Sequence, residues 1–216
     1  LPVKFVHHAR KKGIKRSVAL AANMVNTQVK RRTIATGRQY VFIAHPMDNT
    51  GAPVVLMQVI EEFVQKFGPR AVRVIAPAYS DNHRAKLLQL GVTPEKAAHG
   101  LGFRFVRTQL ALKPDDFVLM NTVAIYDNYR EFILMWLRLG RLKHATWFIH
   151  EDKAQLPVIE PGFLEPATTG RIKDLLIKDK LQVLVPSEHT RKDYVEILGT
   201  TKNIATTPLH VAVDPS

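Results

Sequence analysis

Three stretches of this sequence gather residue types that can bind a ligand or move a proton. In Phe148-Ile149-His150-Glu151-Asp152 a histidine and two acids follow an apolar run. A histidine leaving the carboxyl end of a buried strand can hydrogen-bond a sugar hydroxyl or take up a proton. The plain alternative is a His that caps its own loop. His45–Pro53 (HPMDNTGAP) is a turn of small and polar residues that runs into an apolar helix pattern. Such a turn can offer backbone N–H groups to an anion, with Thr50, Gly51 and Ala52 nearest the helix start. It can equally be a capped turn in which Asp48 or Thr50 satisfies those amides. Val185-Pro186-Ser187-Glu188-His189-Thr190 reads first as a strand end with Ser187 as helix N-cap, and second as a contributor to a cleft. Asn121-Thr122 is a similar small polar pair at a strand end.

Several chemistries are disfavoured by spacing. The first turn is neither G-x-G-x-x-G nor G-x-x-x-x-G-K-[ST], which argues against a nicotinamide site and a P-loop. His150, Glu151 and Asp152 are consecutive, so their side chains diverge, and no H-E-x-x-H pair accompanies them; no metal is expected. Absence of cysteine removes thiol nucleophiles and thiolate metal sites, and it fits a reducing cytoplasm. Glu188 and Glu196 have an E-x7-E spacing, which on a helix is expected to be a solvated charged face. His7, His8, His83, His99 and His144 are scattered and expected at the surface, whereas Trp136 and Trp147 lie in apolar contexts that predict core positions.

The elements that must position these residues alternate. Strands are expected at 39–44, 71–76, 103–106, 117–120, 144–149, 181–185 and from 203, with helices at 51–67, 80–90, 127–139, 167–180 and 188–198. Gly68-Pro69, Gly91, Gly140 and Gly199 end helical patterns. The strand runs are short and mostly unalternated, as in sheets covered on both faces. The fold class is therefore α/β: a Rossmann-like open, mostly parallel sheet with helices on both faces, and ligands expected outside the carboxyl ends of its strands. The Pro- and Gly-containing stretch 151–165 reads as a loop at that edge.

Charge divides the chain in two. Residues 1–40 contain ten bases and no acid, leaving 21 bases against 19 acids in the remainder, so the formal +12 belongs to one segment. Residues 1–38 read as a basic, partly helical amphipathic segment, and 39–216 as the α/β domain. The arm is either a solvated extension or helix packed on the domain, or a helix for an anionic membrane surface through residues 4–38. Nucleic acid is not expected, since few aromatics interleave the bases. No apolar run reaches the roughly 18–20 residues of a membrane span, and no signal peptide is apparent. The chain begins at Leu1 rather than Met and is expected to be a fragment or a processed product.

Taken in order, five motifs resemble the N-terminal domain of a GT-B glycosyltransferase, and they are most similar to glycosyltransferase family 4. They are D-x-T-G-A-P at Asp48–Pro53, Asn121-Thr122, W-F-I-H-E at Trp147–Glu151, V-P-S at Val185–Ser187, and P-x-x-V-x-V-D at Pro208–Asp214. The resemblance covers residues 40–216. It implies two Rossmann-like domains facing across a cleft, the acceptor-side one represented here and the donor-binding C-terminal one absent from this chain. It also implies that Thr50, Gly51 and Ala52 lie near the donor's phosphates, that His150 contacts the donor sugar at the reacting centre, and that Asn121, Thr122, Glu151 and Ser187 line the cleft. The family's own E-x7-E lies in the second domain, so the Glu188/Glu196 pair has the spacing in a different place.

The implied activity is hexosyl transfer, with retention, from a nucleotide sugar to a glycan or lipid-linked acceptor in cell-envelope polysaccharide, glycoprotein or glycolipid synthesis. No cofactor or metal is implied in this domain. The expected location is cytoplasmic, peripheral at the membrane through the arm, and this fragment alone is expected to be inactive. Two alternatives stand beside it: a Rossmann-like domain of another sugar-nucleotide enzyme of epimerase type, and a non-catalytic module whose basic arm binds an anionic surface.

Overall fold

A computed structural model describes residues 37–98 and 102–207. The basic arm up to residue 36, His99 and the 208–214 crossover motif lie outside the described residues.

Among the described residues seven strands form one parallel sheet: β1 (Tyr40–Ala44), β2 (Val72–Ala76), β3 (Pro94–Lys96), β4 (Phe117–Asn121), β5 (Ala145–Phe148), β6 (Leu181–Val185) and β7 (Ile204–Thr206). Their order is β3-β2-β1-β4-β5-β6-β7, so the chain builds outward from β1 to one edge and then restarts beside β1. Between them run α1 (Gly51–Phe67), α2 (Asp81–Gln89), α3 (Phe103–Leu110), α4 (Asp127–Arg138), α5 (Leu156–Ile159), α6 (Pro166–Ile177) and α7 (Glu188–Leu198). Two 3-10 turns, Pro69–Ala71 and Pro161–Leu164, complete the connections. The α/β expectation holds, and the parallel pairing is complete rather than partial.

Period-two geometry explains the two layers of core. On β1, Val41 and Ile43 face one side of the sheet, where Met120 and Trp147 meet Ile133 of α4, Ile172 of α6 and Tyr194 of α7. Phe42 and Ala44 face the other side, where Val74, Leu119 and Phe148 meet Leu56 and Ile60 of α1 and Leu87 of α2. Burying a side chain of that size contributes roughly 1.5–3 kcal/mol. Both faces of β1 and β2 are thus dry, which is why their sequences do not alternate. Trp147 is fully buried and Trp136 nearly so, as the sequence suggests.

Three expectations need correction. Residues 103–106 are not a strand but the first turn of α3. Phe-Arg-Phe-Val suits a strand locally, yet Val106 and Leu110, four apart, are the buried pair, and that is helical spacing. The edge strand β3 was not expected, because Pro-Glu-Lys carries no apolar signal. It is held by Arg73 of β2, whose guanidinium bonds both Glu95 oxygens (2.9 and 3.1 Å) and the carbonyls of Leu110 and Gln109. Finally, His83 is buried rather than on the surface. Its Nδ1 lies 3.0 Å from Ser80 Oγ and 3.3 Å from the Met47 carbonyl, so it joins the start of α2 to the loop after β1.

Candidate functional site at the strand switch point

The strand order reverses between β1 and β4, and the carboxyl ends of the strands at such a reversal are where open α/β sheets bind ligands. Register carries the candidate residues there. Ala44 pairs with Asn121, and Asn121 pairs with Phe148. His45 and Thr122 therefore leave adjacent strands at one level, and His150 follows one residue beyond that level on the third. Asn121 and His150 share a face, and His150 Nε2 lies 2.9 Å from Asn121 Oδ1. The ring also packs on Phe148 at a centroid distance of 4.0 Å.

Electrostatically the two histidines are alike. Burial pushes His150 down to about 4, and charge on nearby His45 adds to the shift. Burial also lowers His45, partly opposed by Asp48. Both imidazoles are thus neutral at pH 7. The sequence marks His45 only as the first residue of its turn, with no role of its own. Its signal was its position, one residue past a buried strand in the same way that His150 lies two past another.

Glu151 faces inward instead of lining an open wall. It is 9% exposed. Its Oε2 accepts from the amides of Val123 and His150, both at 3.2 Å. Burial raises its pKa, partly offset by these amides and the Thr122 hydroxyl. Tyr194 of α7 donates to the Glu151 carbonyl at 3.2 Å. The carboxylate therefore ties the loop after β4 to the loop after β5. Thr122 has φ +71°, a left-handed conformation for a β-branched residue, in the loop that this brace holds. Its amide donates to the Phe148 carbonyl at 2.7 Å and its own carbonyl accepts from Trp147 Nε1 at 2.8 Å.

The first turn is both capped and open. Asp48 Oδ1 accepts from the Thr50 amide at 3.0 Å and from the Thr50 hydroxyl, which holds the Asp48 carboxyl below its ordinary value. Thr50 is consumed by this local turn. Gly51 and Ala52 open α1, and helix-opening amides have no intrahelical acceptor. A Cβ added at Gly51 would meet nothing within 4 Å, so the protein's own packing does not demand glycine there. The loop is anchored to the segment between β2 and α2: Met47 N donates to Ala78 O at 2.9 Å and Ser80 N to Met47 O at 2.7 Å.

Ser187 lies after β6, and its Oγ accepts from the Thr190 amide at 3.1 Å as the N-cap of α7. Replacing it with alanine is expected to cost about 1 kcal/mol in urea unfolding and to leave any ligand binding unchanged. Loss of binding at unchanged stability would return Ser187 to the cleft. Glu188 pairs with Arg191 and Glu196 with Lys153, both in solvent, so the E-x7-E spacing is the expected charged face. Among the described residues no group of three or more His, Asp or Glu side chains is gathered to hold a metal. Among them, too, no helix is long and apolar enough to cross a membrane.

No protein-family model matches this sequence, and a search of curated proteins finds no match. The functional reading therefore rests on the motifs and on the geometry.

Proposed function

We propose that this chain is the acceptor-side domain of a glycosyltransferase resembling family 4, acting together with a donor-binding second domain. One observation carries the reading. Segments singled out by sequence, His45–Pro53, Asn121-Thr122 and His150-Glu151, meet at the carboxyl ends of the central strands β1, β4 and β5. That juxtaposition is what a sugar-transfer cleft requires of its first domain. Transfer from a nucleotide sugar develops oxocarbenium character at the sugar and negative charge on the departing diphosphate. The Gly51 and Ala52 amides at the start of α1 suit the diphosphate, since a helix N-terminus favours negative charge. An open Cβ position at Gly51 suits close approach of a substrate group. His150, neutral and held against Asn121, suits a hydroxyl of the transferred sugar. The acceptor is a glycan or a lipid-linked sugar, and the basic arm holds the enzyme at an anionic membrane.

The test is an assay of the complete encoded protein with a panel of nucleotide sugars and lipid-linked acceptors. Transfer is expected, and His150→Ala should lower kcat about 100-fold. A protein that binds no nucleotide sugar and transfers none would overturn the proposal.

A further inference from the structure

Two buried polar atoms at the switch point have no partner among the described residues: His45 Nδ1 and Asn121 Nδ2. A buried unpaired donor or acceptor costs about 1–3 kcal/mol, so two at adjacent strand ends require a physical reason. Asn121 is fully buried, with its Oδ1 already engaged by His150. His45 follows Ala44, the register partner of Asn121, and lies close enough to His150, which bonds Asn121, for the two imidazoles to act on each other. Turning the Asn121 amide over does not remove the problem, because Nδ2 would then face His150 and Oδ1 would be left unpaired.

We propose that His45 and Asn121 form a subsite for one hydroxyl group of an uncharged polyol, which accepts from the Asn121 amide and donates to His45 Nδ1. A hydroxyl can both donate and accept, so it satisfies the pair in either amide orientation, provided His45 takes the matching tautomer. The inference rests on reading this edge as a sugar cleft, and it adds where one hydroxyl sits and what charge the ligand carries there. The surroundings select against an anion. Neither His45 nor His150 is charged at neutral pH. Glu151 and Asp48 are acids, and the carboxylate oxygen that each turns to its loop is occupied by backbone amides. A phosphate oxygen placed between the two orphans would face two neutral imidazoles, with the Asp48 carboxylate close enough to act on His45. The anionic part of a ligand belongs at the start of α1, and an uncharged part belongs here.

The experiment uses the 216-residue chain labelled with 15N. Imidazole and side-chain amide resonances are followed during titration with methyl α-D-glucopyranoside and, separately, with inorganic phosphate. The glucoside is expected to give saturable shifts of the His45 Nδ1 and Asn121 amide signals, and phosphate none. Asn121→Ala and His45→Phe should each weaken the glucoside about tenfold, the equivalent of one lost buried hydrogen bond. The wild-type titration decides the matter if either variant fails to fold. Shifts with phosphate alone, or no saturable shift with the glucoside, would overturn the subsite. Glucoside shifts in a protein that transfers no sugar would sink only the transferase reading; transfer without those shifts would sink only the subsite.

Discussion

Glu151→Ala should lower the unfolding free energy by about 3 kcal/mol at neutral pH, with the loss concentrated in two loops. The carboxylate accepts from the amides of Val123 and His150, and its removal leaves both inside the protein without an acceptor. Each abandoned amide costs about 1–3 kcal/mol. Part of that is returned, because burying the carboxylate is itself unfavourable, as its raised pKa records. Glu151→Gln keeps an oxygen in place and should cost about 1 kcal/mol. The variants separate two roles for this residue. As a brace, Glu151→Ala speeds amide exchange at Val123 and His150, while Glu151→Gln largely restores protection. As a ligand-facing acid, Glu151→Ala would leave urea unfolding and exchange unchanged. That outcome would put Glu151 back on the cleft wall.

The fold was legible because buried parallel strands and amphipathic helices leave different periods in the chain. β6 and α1 occupy the same residues that the apolar runs mark. Helix ends were legible where glycine is required: Gly199 has φ +60° at the end of α7, a conformation costly for residues with a Cβ. Failures came where local and tertiary preferences diverge. Phe103–Val106 has strand-forming residues but packs as a helix, since Leu110 extends its buried stripe beyond the apparent run. β3 is a three-residue edge whose place is set by the Arg73–Glu95 ion pair across strands, a contact that no local window contains.

The site was legible in its parts and not in its wiring. Strand-end positions marked His150 and Asn121, but only register reveals that they share a face and bond each other. Thr50 and Ser187 have the same chemistry in the sequence as a ligand-binding hydroxyl. In the structure each is engaged in a local turn or cap. His45 and Glu151 show the converse. One lies half-buried with an unpaired nitrogen, the other is turned inward as a brace, and neither property is encoded by residue type.

The second large effect is a loss of stability in acid that is traceable to His150. Its imidazole titrates near 4 in the folded protein against an ordinary value of 6.5, because burial disfavours the imidazolium. The folded-state value is depressed, so between those limits the unfolded chain binds more protons than the native one. Stability from this residue is therefore complete above about pH 6.5 and declines as pH falls towards 4. The full difference amounts to about 3 kcal/mol. His45, lowered for the same reason, acts in the same direction. Glu151 acts oppositely: its folded value is raised, so its contribution improves as pH falls towards its ordinary 4.5. Urea midpoints measured from pH 7 to 4 for the wild type and for His150→Gln isolate the histidine, since the other groups are common to both. The glutamine variant should lose most of the acid slope while its side-chain amide still reaches Asn121. A wild-type imidazole whose NMR titration falls at 6.5 would show instead that solvent reaches the ring freely. The cluster would then accommodate an anion by protonating, and the uncharged subsite beside it would fall with the stability slope.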